Sequence, residues 1–188
     1  IPRTPSKLSE LQVSWCVWRV TKTMLQSVFH KNKIFPIVRV ISWFWLIGAV
    51  ILTKLPDYIH YVLAADTTVF ALFLALFSVG IAFGSLVIGH CLAGKISLHT
   101  VPFTMLLLSV FAFDLYWATP NELSTEPATL LSFGSFLVAS SNWRIIFDFF
   151  FLSFCGGLFI VPLYTYLQVS CEDTERARLI AANNIVNA

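Results

Sequence analysis

Three ionisable residues lie within or beside long apolar stretches of the sequence, where a charge needs a partner or a path to water. Asp148 follows Arg144 by four residues, a spacing that places two side chains on one face of a helix. Asp114 stands near the end of an earlier apolar stretch. An acid inside an apolar membrane span is costly unless it is paired or faces water. These residues therefore predict either an ion pair at a helix end or a polar pathway.

Amide side chains form a second group of candidates near the end of the sequence. Asn183, Asn184 and Asn187 lie in the apolar stretch LIAANNIVNA. Amides inside a membrane helix bond to a neighbouring helix or line a cavity. Asn183 and Asn184 join Asp114, Arg144 and Asp148 as candidates for a substrate path.

Glycine and proline residues interrupt two of the apolar stretches. Gly156, Gly157 and Pro162 predict a helix break, because Gly weakens a helix and Pro removes a backbone donor. Such breaks often mark bending elements or binding sites in transporters, although ordinary packed helices also carry proline. Gly80 and Gly84 are four residues apart and instead predict the close approach of another helix.

The remaining candidates lie in two short polar turns, one around residues 89–95 and the other around residues 175–178. Their glycines suit a hinge, and their charged side chains suit bridges to helix ends that hold a closed state. A solvated turn is the alternative interpretation of the charged residues. These candidates for a gate are Gly89, Gly94, Lys95, Glu175, Arg176 and Arg178.

The sequence contains none of the motifs of a hydrolase, metalloprotease, P-loop protein or dinucleotide-binding enzyme. Its four histidines and four cysteines lack the spacing of metal ligands. We therefore predict no enzyme, no metal and no cofactor. The net charge of +2 gives no bulk attraction to nucleic acid.

Long uncharged stretches predict the elements that position these residues. Apolar residues make up 57% of the 188 residues and charged residues 12%, about half the usual share in a soluble domain. Spans are predicted over about 37–56, 68–91, 97–117 and 145–169, each suited to a hydrocarbon core of about 30 Å. The stretch from about 179 predicts the start of a truncated fifth span. The predicted fold class is an all-α membrane protein, and the lipid bilayer is a predicted partner.

The segments outside these spans carry most of the charge. Residues 1–35 combine apolar residues at helical spacing with Lys and Arg, which predicts an amphipathic helix at the membrane surface or an ordinary linker helix. Residues 130–139 are too few to cross a bilayer and suit an interfacial or partly re-entrant segment. Residues 172–178 are predicted to form a charged turn.

The distribution of positive charge predicts the orientation. Ten of the 12 Lys and Arg residues fall on one side of the predicted spans, and only Lys54 and Arg144 fall on the other. Because cytoplasmic loops are rich in Lys and Arg, the N-terminus and the two polar turns are predicted to be cytoplasmic.

Four stretches of the sequence together resemble the lysophospholipid transporter branch of the major facilitator superfamily. They are ISWFWLIGAVILTKLP, LALFSVGIAFGSL, NWRIIFDFFFLSFCGGLFIVPLY and RARLIAANNIVNA. The resemblance covers about residues 35–118 and 142–188. It implies that residues 1–35 end a cytoplasmic linker between two six-helix halves and that the spans are helices seven to ten, followed by the start of helix eleven. The family's cytoplasmic loop motif departs here, since His90 and Cys91 occupy positions that are often charged.

The resemblance also implies a function. Transporters of this branch move lysophosphatidylethanolamine and related lipids from the outer to the inner leaflet of the bacterial inner membrane, by alternating access. Some are fused to a 2-acylglycerophosphoethanolamine acyltransferase and acyl-carrier-protein synthetase. Partners would then include the remaining helices, the lysophospholipid and such an acyltransferase. The alternative is a non-transporting membrane anchor or structural bundle for a fused phospholipid acyltransferase.

Overall fold

The computed structural model describes residues 18, 21–22, 26, 34–92, 97–120, 129–170 and 173–187, with the side chains of 173–175 excepted. The amphipathic helix expected within residues 1–35 therefore lies almost wholly outside the described residues. Gly94 and Lys95 also lie outside them, and so does the Glu175 side chain.

From residue 34 onward, the described part of the chain forms six α-helices. Four of them are long and apolar enough to cross a membrane: α1 together with its π-helical turn, α2, α3 and α5. Across these residues no strand forms, which agrees with the predicted all-α membrane class. The helices are α1 Phe35–Asp57 with a π-helical turn Tyr58–Val62, α2 Thr67–Leu92, α3 Thr100–Ala118, α4 Phe133–Val138, α5 Ser140–Val169 and α6 Asp173–Asn187.

Two predicted boundaries are wrong. The fourth span begins at Ser140 instead of about 145, because polar side chains at its start bond to the segment before it. Asn142 donates to the carbonyl of Phe136, and the Trp143 indole donates to that of Leu137, each at 2.9 Å. The charged segment expected to be a turn is helical from Asp173 onward, since it lacks the Gly and Pro residues that stop helices.

Helix α5 forms the centre of the fold. Of the residues in its most apolar part, 61% are buried, against 22% or less in the other three spans. It packs along α2 and α3, and α1 contacts it through fewer residues, among them Val38, Phe44 and Leu55. Large apolar side chains on the outer faces, such as Phe83, Leu86 and Phe113, are exposed, as expected for surfaces that face lipid.

The expected break in α5 at Gly156, Gly157 and Pro162 is wrong, because the helix runs unbroken through all three. Gly157 is instead a point of close contact with α2. A Cβ atom added there would stand 2.4 Å from the carbonyl oxygen of Ile81.

Gly80 and Gly84 make the matching contacts from α2. A Cβ on Gly84 would lie 2.0 Å from the Phe154 oxygen, and one on Gly80 would lie 2.8 Å from the Cβ of Ser153. The close approach of helices predicted from their spacing is confirmed. We call this contact between α2 and α5 the glycine seam.

The segments before α2 and before α4 are hydrogen-bonded to each other. The Leu131 amide donates to the Ala64 carbonyl at 2.7 Å, and the Asp66 amide donates to the Leu131 carbonyl at 3.0 Å. Ala64 adopts a positive φ of 49°, which turns the chain sharply out of the π-helical turn. The start of α2 and the segment leading into α5 are thereby held together.

Candidate functional site

An ion pair joins α3 to α5 at the point where the sequence places its charges. Arg144 donates through Nη2 to Oδ1 of Asp114 and through Nε to Oδ2, the second bond measuring 3.3 Å. This two-pronged geometry is the strong form of an arginine–carboxylate pair. The side chains of Arg144 and Asp114 remain 54% and 40% exposed.

The expected pairing of Arg144 with Asp148 is therefore wrong. A spacing of four residues allows that contact, but α3 presents Asp114 to both prongs of the guanidinium. Asp148 is only 5% exposed, and its Oδ2 atom makes no hydrogen bond within the described structure. It lies within electrostatic reach of Asp114 and Arg144. The three charged candidates therefore lie close together.

Two uncharged polar residues complete this site. The hydroxyls of Tyr58 and Thr119 lie 2.9 Å apart, and Tyr58 is within electrostatic reach of Asp148. Sequence analysis did not single out either residue. We call Tyr58, Asp114, Thr119, Arg144 and Asp148 the polar cluster.

A π-helical turn positions Tyr58 in the cluster. The Leu63 amide donates to the Tyr58 carbonyl, five residues earlier, at 3.1 Å. Pro56 lies just before this turn and has no N–H to bond the preceding turn of helix. Such turns are frequent at functional sites, so a proline close to the end of an apolar span was the signal available in the sequence.

A cavity of 820 Å³ lies among α1, α3 and α5, with a few lining residues from α2 and α6. We call it the apolar groove. Two serines line it, but each hydroxyl is already bonded to its own helix: Ser109 donates to the Met105 carbonyl and Ser153 to that of Phe149. Its wall is therefore chemically hydrocarbon over nearly its whole length. The residues that define its sides include Trp43, Gly48, Met105, Ala112, Leu152 and Gly156.

The apolar groove approaches the polar cluster along α5, although none of the five cluster residues lines it. Leu152 lines the groove and follows Asp148 by four residues, so the two lie on one face of α5. On α3, Ala112 lines the groove two residues before Asp114. A molecule lying in the groove would thus have a long apolar surface against its body and charged groups near one end.

The asparagine residues near the end of the sequence differ in burial and in hydrogen bonding. Asn183 is fully buried, and neither its Oδ1 nor its Nδ2 atom has a partner in the described structure. Asn184 is exposed. Asn187 was not among the candidates for the substrate path, but it lines the groove and accepts a hydrogen bond of 2.7 Å from the Ser42 hydroxyl. It shows the two behaviours expected of an amide in a membrane helix.

The gate candidates are described only in part. Arg176 donates to the Gln168 carbonyl at 2.8 Å, which ties the start of α6 to the end of α5. Arg178 is exposed, and Gly89 lies in α2 with open space around it.

Comparison of the chain with protein-family models, curated proteins and solved structures gives no match. Its function must therefore be argued from the chemistry of the site itself. No group of three or more His, Cys, Asp or Glu side chains suited to a metal ion occurs in the described ranges. What the site offers is a charged cluster with a guanidinium fork at the end of a hydrocarbon-lined groove.

Proposed function

We propose that this chain is part of a membrane transporter for single-chain phospholipids, which moves them across the bacterial inner membrane by alternating access. The observation that supports this best is that the apolar groove lies one helical turn along α5 from the polar cluster, at Leu152. A lysophospholipid has the same division, with one acyl chain and one charged headgroup.

The groove suits the acyl chain. Its 820 Å³ falls in the upper part of the range for small-molecule sites, roughly 300–1,000 Å³. The hydroxyls of its two serines are satisfied within their own helices, so a hydrocarbon chain against them leaves neither hydroxyl unpaired.

The polar cluster suits the headgroup. Arginine binds phosphate through two parallel hydrogen bonds, as it binds Asp114 here. Because the pair is partly exposed, a phosphate can compete with Asp114 for the Arg144 fork. Binding of the headgroup would then loosen the link between α3 and α5, which supplies a step in a transport cycle.

We also propose that the chain belongs to the lysophospholipid transporter branch of the major facilitator superfamily, as its helices seven to ten. Four sequence stretches support this, together with four helices of spanning length. The charge asymmetry supports a cytoplasmic N-terminus. Arg176 and its bond to Gln168 are consistent with a cytoplasmic closing contact, and a fused acyltransferase would consume the delivered lipid.

Filling the groove tests the proposal. A Cβ added to Gly48 meets no atom within 4 Å, and Gly48 lines the groove, so Gly48→Phe is expected to place a ring in the groove. We expect at least a tenfold loss of lysophospholipid uptake by vesicles that carry the full-length protein. Uptake is measured as the labelled lipid that external albumin no longer extracts.

Two variants of α1 provide controls. Gly48→Ala adds one methyl group, and Leu46→Phe places the same ring on a side chain that is 54% exposed and does not line the groove. Both are expected to transport as the unmodified protein does. If Gly48→Phe takes up as much lipid as the unmodified protein, the groove is excluded as the path. If the unmodified protein takes up no more lipid than empty vesicles do, the chain is better explained as a membrane anchor.

A further inference from the structure

Exposed apolar side chains gather around the short helix α4. Val138, its last residue, is 86% exposed, and the sequence carries no Asp, Glu, Lys or Arg between Glu126 and Arg144. Exposed apolar patches mark contacts with protein or with a membrane. We use the name α4 surface for the five large side chains concerned, which are Leu130, Leu131, Phe133, Val138 and Trp143.

Another side chain of α4 fixes this helix to the bundle. Phe136 is fully buried, and its ring meets the Phe73 ring of α2 edge to face, with 6.1 Å between the ring centroids. The backbone is held as well, since the Phe133 amide donates to the Thr68 hydroxyl at 3.1 Å. The α4 surface therefore cannot turn inward without the loss of these contacts with α2.

Tyrosine and tryptophan residues mark the depth of the α4 surface in a membrane. These residues are enriched where a span meets the lipid headgroups, because their rings are apolar and carry one polar group. Contacts within the polar cluster bring together the ends of α1, α3 and α5 that carry four such exposed residues, which are Tyr61, Tyr116, Trp117 and Trp143. The Trp143 indole also donates to the Leu137 carbonyl at 2.9 Å. Helix α4 therefore lies at the level of these aromatic residues.

We propose that the α4 surface rests in the headgroup boundary of the leaflet that the charge distribution predicts to be external, and that it binds the lipids there. The sequence left open an interfacial or a partly re-entrant segment. The level of the aromatic residues favours the first, and the six residues of α4 extend only about 9 Å. The α4 surface also continues into the exposed side of a span, because the centroid of the exposed Phe147 ring lies 6.0 Å from that of Trp143.

Contact with lipid at this surface sets the depth of two helices at once. Helix α5 follows α4 directly, and the segment before α4 is bonded to the segment before α2 through the backbones of Leu131 and Ala64. The α4 surface thus holds the joined starts of α2 and α5 at one depth in the membrane. Lipid contact here does not require that the chain transport lysophospholipid, so the two proposals can fail separately.

Spin labels on single cysteines test this placement in proteoliposomes of the full-length protein, with its native cysteines replaced by serine. A nitroxide at Val138→Cys is expected to collide often with oxygen, which dissolves in the bilayer, and seldom with a water-soluble nickel chelate, at a depth of roughly 5–10 Å into the headgroup boundary. Ser132→Cys, at an exposed polar residue of the same segment, is the matched control and is expected to collide with nickel several times more often. Phe83→Cys, on an exposed face of α2, provides the reference for a lipid-facing position deep in a span.

Three results would overturn the lipid contact. Nickel collision at Val138→Cys equal to that at Ser132→Cys would mean that the α4 surface faces water. Little collision with either reagent would mean that protein covers it, either a second copy of the chain or further helices. A depth equal to that of Phe83→Cys would mean a re-entrant segment. The measurement needs no lipid uptake, so its result is independent of the proposed function.

Discussion

At the scale of single residues, Asp66 determines where α2 begins. Its Oδ1 atom accepts hydrogen bonds from the Thr68 hydroxyl at 2.5 Å and from the amides of Thr68 and Val69 at 2.9 and 3.3 Å. This is the N-cap arrangement, in which a side chain satisfies amides that the first helical turn leaves free. The Thr68 hydroxyl in turn accepts from the Phe133 amide at 3.1 Å. One carboxylate thus supports a helix start and the neighbouring segment.

A pH dependence follows from this cap. The bond from the Thr68 hydroxyl, followed by the two amides, lowers the pKa of Asp66 below its ordinary value of 3.8. A lowered folded-state pKa contributes stability that is present above the ordinary value and is lost as pH falls through the folded-state value. We expect amide hydrogen exchange at Thr68 and Val69 to accelerate, relative to its intrinsic rate, as pH falls below that ordinary value.

The variant Asp66→Asn separates charge from capping. Asparagine caps helices about as well as aspartate, so this variant is expected to protect the two amides without the acid-dependent loss. Asp66→Ala should expose them at every pH. Identical pH profiles for Asp66→Asn and the unmodified protein would show that another group titrates.

The charged candidates show what residue spacing can and cannot predict. The sequence placed Asp114, Arg144 and Asp148 in apolar surroundings, and all three meet in one cluster. It could not predict which acid Arg144 selects, because that depends on how α3 is rotated against α5. The same limit explains why Tyr58 and Thr119 were missed, since they meet only after two distant helix ends converge.

At the scale of elements, the glycine seam makes α2 and α5 one packed unit. The atoms that a Cβ would strike there are mostly backbone atoms, which cannot rotate away as a side chain can. Spacing predicted the contact of Gly80 and Gly84 correctly, yet it gave Gly157 the wrong role. Glycine weakens an isolated helix, but in α5 the absence of a side chain is what allows α2 to approach. Sequence alone does not distinguish these two uses.

Substitution in the seam is expected to be costly. A methyl group at Gly84 would lie 2.0 Å from the Phe154 oxygen, so Gly84→Ala must push the helices apart. Overpacking of this kind costs about 1–3 kcal/mol. We expect Gly84→Ala to lower the free energy of unfolding by that amount, measured by circular dichroism during titration of detergent micelles with sodium dodecyl sulfate.

Gly89→Ala is the matched control on the same helix. A Cβ at Gly89 meets no atom within 4 Å, and alanine has the higher helix propensity. This variant is expected to be neutral or slightly more stable. Equal destabilisation by the two substitutions would argue against tight packing at Gly84.

At the scale of the whole molecule, long uncharged stretches were sufficient to predict the class of fold. All four predicted spans correspond to helices of spanning length. The apolar groove could not be foreseen, because it exists only where α1 stays apart from α3 and α5. Periodicity indicates which face of a helix is apolar, but it does not tell whether that face meets protein, lipid or an open groove.

Membrane orientation is open to direct measurement. The distribution of positive charge predicts that the α2 end that carries Cys91 is cytoplasmic, and Cys91 is exposed. In a variant whose other cysteines are replaced by serine, we expect an impermeant maleimide to label Cys91 only after cells are permeabilised. A Ser132→Cys variant that lacks Cys91 should react in intact cells, because Ser132 is exposed before α4 at the opposite end. The reverse pattern would invert the assigned orientation.

The unequal attachment of α1 has a mechanical consequence. Helix α1 meets α5 through side chains alone, such as the Phe44 ring against the Phe159 ring and the hydrogen bond from the Trp45 indole to the Tyr164 hydroxyl at 2.9 Å. Helices α2 and α5, in contrast, are locked backbone to backbone and tied again through Ala64 and Leu131. In any rearrangement, α2 and α5 would move together as one rigid unit. Helix α1 would move relative to that unit, which would widen or narrow the space between them.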